Sequence, residues 1–293
     1  MNLHHLKIFL GVAEAGSISA GAERLHISQP AVTREIRDLE ASIGLPLFDR
    51  HPRGVALTES GARLLQYARR IFALEQAAER DLRGFASLHL GELALGASAT
   101  LGAYLLPALL DRFRGLHPRI VVSLEVSNTL EVTRQLDDGR ISLGFVEGEF
   151  ERGDYAHRLL ARDALLPVAG PAHPLAALTG LSVHDLQRHD LYLREQGSGA
   201  RASIEQAYQI LGLEPRARMT IGSTEALKRL IANGSGIAWL SQRVVETELN
   251  AGQLVRLDVG DLRIERDLYM LWRHDGSLSP APAAFVELVA QAL

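Results

Sequence analysis

The chain has 293 residues, 47% hydrophobic and 23% charged, with 31 Lys and Arg against 35 Asp and Glu. That balance excludes a disordered or collagen-like protein, and the length suits two or three domains. Zero cysteines exclude disulfides, zinc fingers, thiol catalysis and iron–sulfur clusters. The longest unbroken apolar run, Tyr104 to Leu110, is far short of the ~18 residues that a membrane-spanning helix needs. The first residues, with His4, His5 and Lys7 before a short apolar run closed by Glu14, do not read as a secretory signal. A cytoplasmic protein with no membrane partner is expected. The net charge of −4 is unevenly spread: residues 1–89 hold 11 basic against 10 acidic side chains, so the acidic excess lies beyond them.

In chain order, Leu6, Phe9, Leu10 and Ala13 mark one face of a helix that Gly16 can end. Ser17 can cap a second short helix over Ile18–Leu25, and Ser28 a third, with Pro30 in its first turn, where a missing N–H is harmless. Val32, Ile36, Leu39 and Ile43 form the third helix's apolar stripe, and Gly44 stops it. Two short extended runs around Asp49–Gly54 predict a hairpin. Thr58 then opens a long helix. Leu64, Ala68, Ile71, Glu75, Ala78, Leu82 and Phe85 follow 4,3 spacing along it, a seam for helix pairing interrupted by Glu75.

From Gly91 strands alternate with helices, which predicts βαβ units and a mostly parallel sheet. The strands are expected around Leu93–Leu95, Ile120–Val126, Ile141–Val146, Ala164–Ala169, Leu191–Arg194, Arg218–Ile221, Ile237–Leu240 and Leu268–Trp272. Helices are expected over Leu105–Phe113, Leu130–Leu136, Ala200–Leu211, Thr224–Asn233 and Pro282–Leu293. Two α/β halves imply a cleft between them.

The N-terminal helices suit DNA: a helix–turn–helix lays its second helix in the major groove, polar side outward. Ser28, Gln29, Pro30, Thr33, Arg34 and Arg37 form that side here. Glutamine can read adenine, arginine can read guanine, and either can hold phosphate. Arg50 and Arg53, flanking the hairpin tip, suit phosphates or the minor groove. The competing reading is a small helical domain that serves only in assembly of a small-molecule binding protein.

The run Leu3-x-x-Leu6-x-x-Phe9, Ala13-x-x-Gly16-Ser17-Ile18, Ala22-Glu23-Arg24-Leu25-His26-Ile27-Ser28-Gln29-Pro30-Ala31-Val32-Thr33-Arg34, Ile36-x-x-Leu39-Glu40, Gly44-x-x-Leu47-Phe48-x-Arg50 and Leu57-Thr58-x-x-Gly61 resembles the LysR-type transcriptional regulators over residues 3–61. The resemblance implies an α/β chain of three parts. These are a winged helix–turn–helix (1–57), a dimerising linker helix (58–89) and a two-lobed, periplasmic-binding-protein-like effector domain (90–293). Lobe I would take 90–163 and 267–293, and lobe II 164–266. It also implies double-stranded DNA, a small-molecule effector and further copies of the chain, usually four, as partners. Ile18 stands where the family usually has Phe, and Gly21 where it usually has Ala. Gly21 is expected to weaken its helix by up to ~1 kcal/mol.

In doubly wound sheets ligands sit beyond the C-terminal strand ends, where helix N-termini present amides. Ser98-Ala99-Thr100, Ser127-Asn128-Thr129 and Phe145-Val146-Glu147 follow three strands. Gly197-Ser198-Gly199, Arg201 and Thr224 can join them from the other half. Hydroxyls, amides and Arg201 suit a small anion, although the Glu147 carboxylate opposes one unless it is protonated or accepts from a hydroxyl. The resemblance implies that these loops line the effector site. Asn128-Thr129 and Phe145–Gly148 look most like the branch that regulates sulfur assimilation and carbon fixation.

No enzyme reading competes. Gly197-x-Gly199-x-x-Ala202 mimics a dinucleotide fingerprint without the acidic residue at the next strand end, and Gly96-x-Ser98-x-Thr100 lacks the hydrolase elbow's last glycine. There is no Walker loop and no HExxH, and His184 and His189 are not on one helix face. Neither catalytic residues nor a metal nor a resident cofactor is expected, only a small-molecule effector.

Overall fold

The computed structural model describes the chain except residues 52–53, 87–90, 154, 235 and 275–277, and the side chains of residues 50, 76–77 and 80–86. Arg53, and the side chains of Arg50, Leu82 and Phe85, therefore lie outside the described residues. The chain forms two compact units, one of Met1–Arg80 with Asp137–Gly139, the other of Asp81–Leu136 and Arg140–Leu293.

The first unit contains α1 (Leu3–Ala15), α2 (Ile18–Leu25), α3 (Gln29–Ile43), the hairpin β1 (Phe48–His51) and β2 (Gly54–Leu57), and α4 (Glu59–Ala86). The breaks lie where local chemistry puts them. Asn2 Oδ1 accepts from the His5 amide at 2.8 Å to start α1, and Gly16 ends it in the left-handed region. Ser17 Oγ accepts from the Ala20 amide at 3.1 Å. Ser28 holds the N-cap position of α3 in extended backbone, but its side chain makes no capping bond, contrary to expectation. Leu6, Phe9, Val12, Val32, Ile36, Leu39 and Phe48 are buried in one core. The Glu40 carboxylate accepts from the amides of Leu47 (2.8 Å) and Phe48 (3.2 Å), tying the end of α3 to the hairpin. Thr58 Oγ1 accepts from the Gly61 amide at 3.0 Å and donates to the Pro46 carbonyl at 2.7 Å.

Two sequence expectations change here. Gly21 is more than a weak helix residue: a Cβ there would lie 2.9 Å from Val12 Cα, so its bareness lets α2 pack close on α1. On α4, Leu64 and Ile71 pack against the helical core and Ala68 is buried in it, whereas Tyr67 and Leu74, one heptad apart, are 62% and 66% exposed. The apolar positions first read as a seam between copies are thus partly used within the unit. The free stripe is displaced to Tyr67 and Leu74.

The second unit runs β3 (Glu92–Ser98), α5 (Ala99–Tyr104), α6 (Leu106–Leu116), β4 (Val121–Ser127), α7 (Thr129–Asp137), β5 (Leu143–Glu147), β6 (Tyr155–Ala169), α8 (Val183–Leu186), β7 (Leu191–Arg194), α9 (Gly199–Ile210), β8 (Ala217–Ile221), α10 (Thr224–Ala232), β9 (Ile237–Ser241), α11 (Gln242–Asn250), β10 (Val255–Arg256), β11 (Ile264–Arg273) and α12 (Pro280–Ala292). The strand order is β4-β3-β5-β11-β6-β9-β7-β8, with β10 beside β6. β3 pairs in parallel with β4 and β5, and β7 with β8 and β9. Between these parallel sets, β6 and β11 pair antiparallel from Tyr155↔Arg273 to Leu165↔Ile264. One lobe's core gathers Leu95, Phe113, Phe145 and Phe285. The other lobe's gathers Leu193, Ile204, Tyr208 and Trp239.

The two long strands extend beyond the sequence reading. β6 begins at Tyr155, and β11 at Ile264. His157 to Leu159 are exposed, so the N-terminal half of β6 lacks the apolar alternation that marks a half-buried strand. Helix α11 was not anticipated either, because it buries only Val244 and Val245.

Candidate functional site

In the first unit, Gln29, Pro30, Arg34 and Arg37 are exposed on α3 with Ser28 just before it, and Thr33 is half-buried among them. The buried residues of the helix are Val32, Ile36 and Leu39. Gln29 donates from Nε2 to Ser19 Oγ on α2, which fixes the start of α3 against its neighbour. Arg34 Nη2 is 3.6 Å from Glu35, whose carboxylate also faces His5 at 3.3 Å. Arg37 makes no ion pair among the described residues and projects from the exposed side. A polar, cationic helix face backed by an apolar core is the arrangement a major-groove reader needs. In the hairpin, Gly54 approaches the α1 terminus so closely that a Cβ would lie 2.6 Å from the Gly16 carbonyl oxygen, and the Val55 amide donates to that oxygen at 3.0 Å.

In the second unit the strand ends meet the start of α9. Ser98 and Ser127 are register partners at the ends of β3 and β4. Thr129 Oγ1 donates to the Glu147 carbonyl at 3.2 Å. A Cβ on Gly199 would lie 1.8 Å from that same oxygen, so only glycine lets α9 come this near β5. Asn128 bridges to the same region: Oδ1 caps α7 by accepting from the Glu131 amide at 3.0 Å, while Nδ2 donates to Glu195 at 3.3 Å. The Leu130 amide donates to the Gly197 carbonyl at 3.1 Å. Ser98, Thr100, Thr129, Glu147, Gly197, Ser198 and Gly199 are thus brought into one neighbourhood.

Five anticipated residues play other parts. Phe145 and Val146 are fully buried on opposite sides of β5, each in a separate core, as strand alternation requires. Arg201 is occupied by Glu205 at 2.7 Å and by the Arg194 carbonyl at 3.1 Å, so it is no free anion anchor. Thr224 faces Arg194, which donates to its hydroxyl from Nη1. Ala99 is half-buried and offers no polar side-chain atom.

The central cation was not anticipated. Arg266 on β11, with a 1% exposed side chain, donates from Nη2 to Asp163 Oδ2 at 2.8 Å and to Thr100 Oγ1 at 3.1 Å. Glu147 Oε2 lies 3.0 Å from the same Nη2 but off its N–H direction, so that contact is an ion pair without a hydrogen bond. Asp163 Oδ1 accepts from Ser241 at 2.8 Å. A pairwise signal for this arrangement does exist: Arg266 alternates with Ile264 and Leu268, a charge where the strand's buried face calls for an apolar residue. Arg194 and Glu195 form a second pair, at 2.8 and 3.0 Å. Burial, the largest single influence, pushes the Glu195 carboxyl upward, but the Arg194 hydrogen bonds and charge, a backbone hydrogen bond and the Asn128 amide together outweigh it and hold the group below the ordinary carboxylate range.

Four polar atoms around this cluster are buried without a hydrogen-bond partner: Ser98 Oγ, Ser127 Oγ, Glu147 Oε2 and Arg266 Nη1. Buried polar groups are paired in the great majority of cases, so such a concentration at adjacent strand ends marks a place built to receive something polar.

Two family profiles match the chain: the bacterial regulatory helix-turn-helix protein of the lysR family over residues 3–62, and the LysR substrate binding domain over residues 86–293. The chain belongs to the LysR family of transcriptional regulators. The "RuBisCO operon transcriptional regulator" of Allochromatium vinosum is 32% identical over 289 residues, covering 99% of this chain and 95% of that protein. Full-length CbnR, a LysR-family regulator solved with its target DNA, superposes with a TM-score of 0.69 at 27% identity, over 100% of both chains. The Synechocystis CcmR regulatory domain in complex with 2-PG superposes with a TM-score of 0.63 at 28% identity, over 69% of this chain and 96% of that domain. The helix–turn–helix of this LysR-family protein is its DNA-binding part, and the two-lobed α/β domain its effector-binding part. Its kinship is consistent with the carbon-fixation and sulfur branch. Among the described residues, no helix is long and apolar enough to cross a membrane.

Proposed function

We propose that a small anionic metabolite binds beyond the ends of β3, β4 and β5, against the start of α9, and that its binding alters the placement of paired helix–turn–helix units on a dyad-symmetric operator. The observation that carries this reading is the convergence of unpartnered buried atoms there, three of which can donate: the Ser98 and Ser127 hydroxyls and Arg266 Nη1. An incoming oxyanion satisfies these donors and competes with Glu147 for Arg266. It thereby redistributes charge at the strands that join the lobes. Coupling to DNA follows if the effector binds the two lobe arrangements with different affinity.

The DNA-reading residues of this proposal are Gln29, Thr33, Arg34 and Arg37, with Ser28 and Pro30 at the helix start. The copies pair through α4, where Tyr67 and Leu74 offer a one-heptad apolar stripe, and pairs assemble further into a tetramer. A regulator of this kind acts in the cytoplasm and turns over no substrate.

Titration calorimetry of the full chain with 2-PG and with inorganic sulfate tests the site. Binding that weakens about tenfold or more in Thr100→Ala supports it. Equal affinity in wild type and variant refutes the role of this cluster. A gel shift with the DNA flanking the protein's own gene tests the other half, and a chain that ignores that DNA at low salt serves assembly instead.

A further inference from the structure

The β6–β11 ribbon has two faces, and the effector cluster uses one. Side chains alternate along a strand, so Asp267 and Glu265 turn away from the side on which Arg266 meets Asp163 and Thr100. Glu265, Asp267 and Tyr269 line a cavity of about 580 Å³, bounded by the loop after β5, by α9 and by β11, to which Arg266, already held by Asp163, also contributes. Small-molecule pockets fall between about 300 and 1,000 Å³.

Its wall is aromatic. Phe150 and Tyr269 meet edge-to-face with centroids 5.2 Å apart, and His157 stands 5.7 Å from the first and 5.8 Å from the second. The Arg152 guanidinium lies 6.0 Å from the Phe150 ring centre and 5.8 Å from that of Tyr269. Tyr269 is buried, and its hydroxyl donates to Asp267 at 3.1 Å. Burial first, then the Asp267 carboxylate, pushes that phenol above its ordinary value, so it stays a neutral donor.

The charges lining the cavity do not cancel in pairs. Arg162 is 3.4 Å from Asp267 and neutralises it. Glu149 accepts from the neutral Gln206 amide, at 3.2 Å, and makes no ion pair among the described residues. Arg152 and Glu265 make no ion pair among the described residues. One cation and two carboxylates therefore line an aromatic pocket without charged partners. A simple anion meets the carboxylates, and a simple cation meets Arg152. A molecule carrying both signs on one carbon, beside an apolar group, satisfies all three features.

We propose that this cavity is a second ligand site, for a free α-amino acid with an aromatic or other apolar side chain. The ligand's carboxylate is held by Arg152, its ammonium by Glu265 and Glu149, and its side chain by Phe150 and Tyr269. Because the pocket joins the loop after β5 in one lobe to α9 in the other across the strands between them, its occupant reports to the same lobe arrangement as the effector, from the reverse side of the ribbon.

The test is titration calorimetry of the full chain with L-phenylalanine, with 3-phenylpropionate, which lacks the ammonium, and with phenethylamine, which lacks the carboxylate. Phenylalanine is expected to bind, and each analogue to bind about tenfold or more weakly. Arg152→Gln and Glu265→Gln, both at exposed positions, are each expected to weaken phenylalanine about tenfold, while Thr100→Ala leaves it unchanged. Any of four results overturns the proposal: no heat from phenylalanine up to about 10 mM, an analogue binding as tightly as phenylalanine, indifference to either glutamine variant, or loss of phenylalanine binding in Thr100→Ala.

Discussion

Arg266 and Asp163 stand directly opposite each other in the β6–β11 register, and two arginine nitrogens, Nε at 3.0 Å and Nη2 at 2.8 Å, converge on the same aspartate oxygen. Each side chain is 1% exposed. Glu147 also leans on this arginine, and Arg243 Nε stands 3.9 Å from the other Asp163 oxygen, so two cations face two carboxylates, with Arg266 the buried one between them. Removing one member of such a buried group leaves uncompensated charge and typically costs about 3–5 kcal/mol. Arg266→Gln is therefore expected to lower unfolding free energy in urea by about that amount. Adding Asp163→Asn to it should recover part of the loss. A single-variant loss under about 1 kcal/mol would mean that water already screens the pair.

On α3, Arg37 has no intramolecular ion pair among the described residues, whereas Arg34 lies 3.6 Å from Glu35. Each phosphate contact releases counterions, so losing one flattens the dependence of log K on log salt by about 1. Arg37→Ala should show that change together with a uniform loss of affinity across sequences. Gln29→Ala should instead relax preference at one base position. Salt titrations of operator and scrambled duplexes separate the two, and an unaltered slope in Arg37→Ala removes it from the interface.

Gly199 and Gly61 are positions where any side chain meets backbone. An added Cβ would lie 1.8 Å from the Glu147 carbonyl oxygen in one case and 2.1 Å from that of Leu47 in the other. Forcing such contacts apart costs about 1–3 kcal/mol. Gly199→Ala should lower stability and weaken effector binding, and Gly61→Ala should lower stability and weaken DNA binding alone. Thermal melts with paired binding titrations would expose a mistaken assignment, because each variant is expected to leave the other unit's ligand untouched.

His173 supplies a pH dependence. Burial first, and then neighbouring His189, with ring centres 5.0 Å apart, depress its pKa below the ordinary 6.5. Its Nδ1 accepts from the Leu175 amide at 3.2 Å, which a proton there would abolish. With the folded-state value depressed, the unfolded chain binds the extra proton. The contribution to stability is thus full above about 6.5 and is lost as pH falls through the folded value. Melting temperature should drop between pH 7 and 5, above the range where carboxylates titrate. His173→Asn, which keeps an acceptor, should make the slope shallower, and an unchanged slope would point to other histidines.

Much of the first unit was legible because its signals are local. Asn2, Ser17, Gly16 and Gly44 mark helix ends through their own backbone, and the Val32–Ile36–Leu39 stripe declares which side of α3 is covered. Ser28 misled only in detail: it stands at the cap position without bonding. The phase of the α4 stripe was misread because spacing shows periodicity but not which neighbour claims it, and the helical core claims Leu64 and Ala68. In the second unit, the strand ends at Ser98, Ser127 and Glu147 were found through alternation of strands and helices. The Arg266 group escaped because its members, Thr100, Glu147, Asp163 and Ser241, are far apart in sequence and meet only through the crossing of β6 and β11. Arg201 was overvalued for a different reason: Glu205 stands four residues on along the same predicted helix, so that pairing was legible, whereas the Arg194 carbonyl appears only in three dimensions.

The ladder joining β6 to β11 runs through ten paired positions, with a single irregularity between Leu268 and Tyr269. Two lobes hung on slack chain could swing like a door on a loose pin. Here any change of angle must wring a continuous ribbon, stretching its rungs as it goes. Such a joint behaves as a torsion spring: it permits small rotations, resists large ones and returns when released. Whatever the pocket detects is then passed on as a slight, elastic turn.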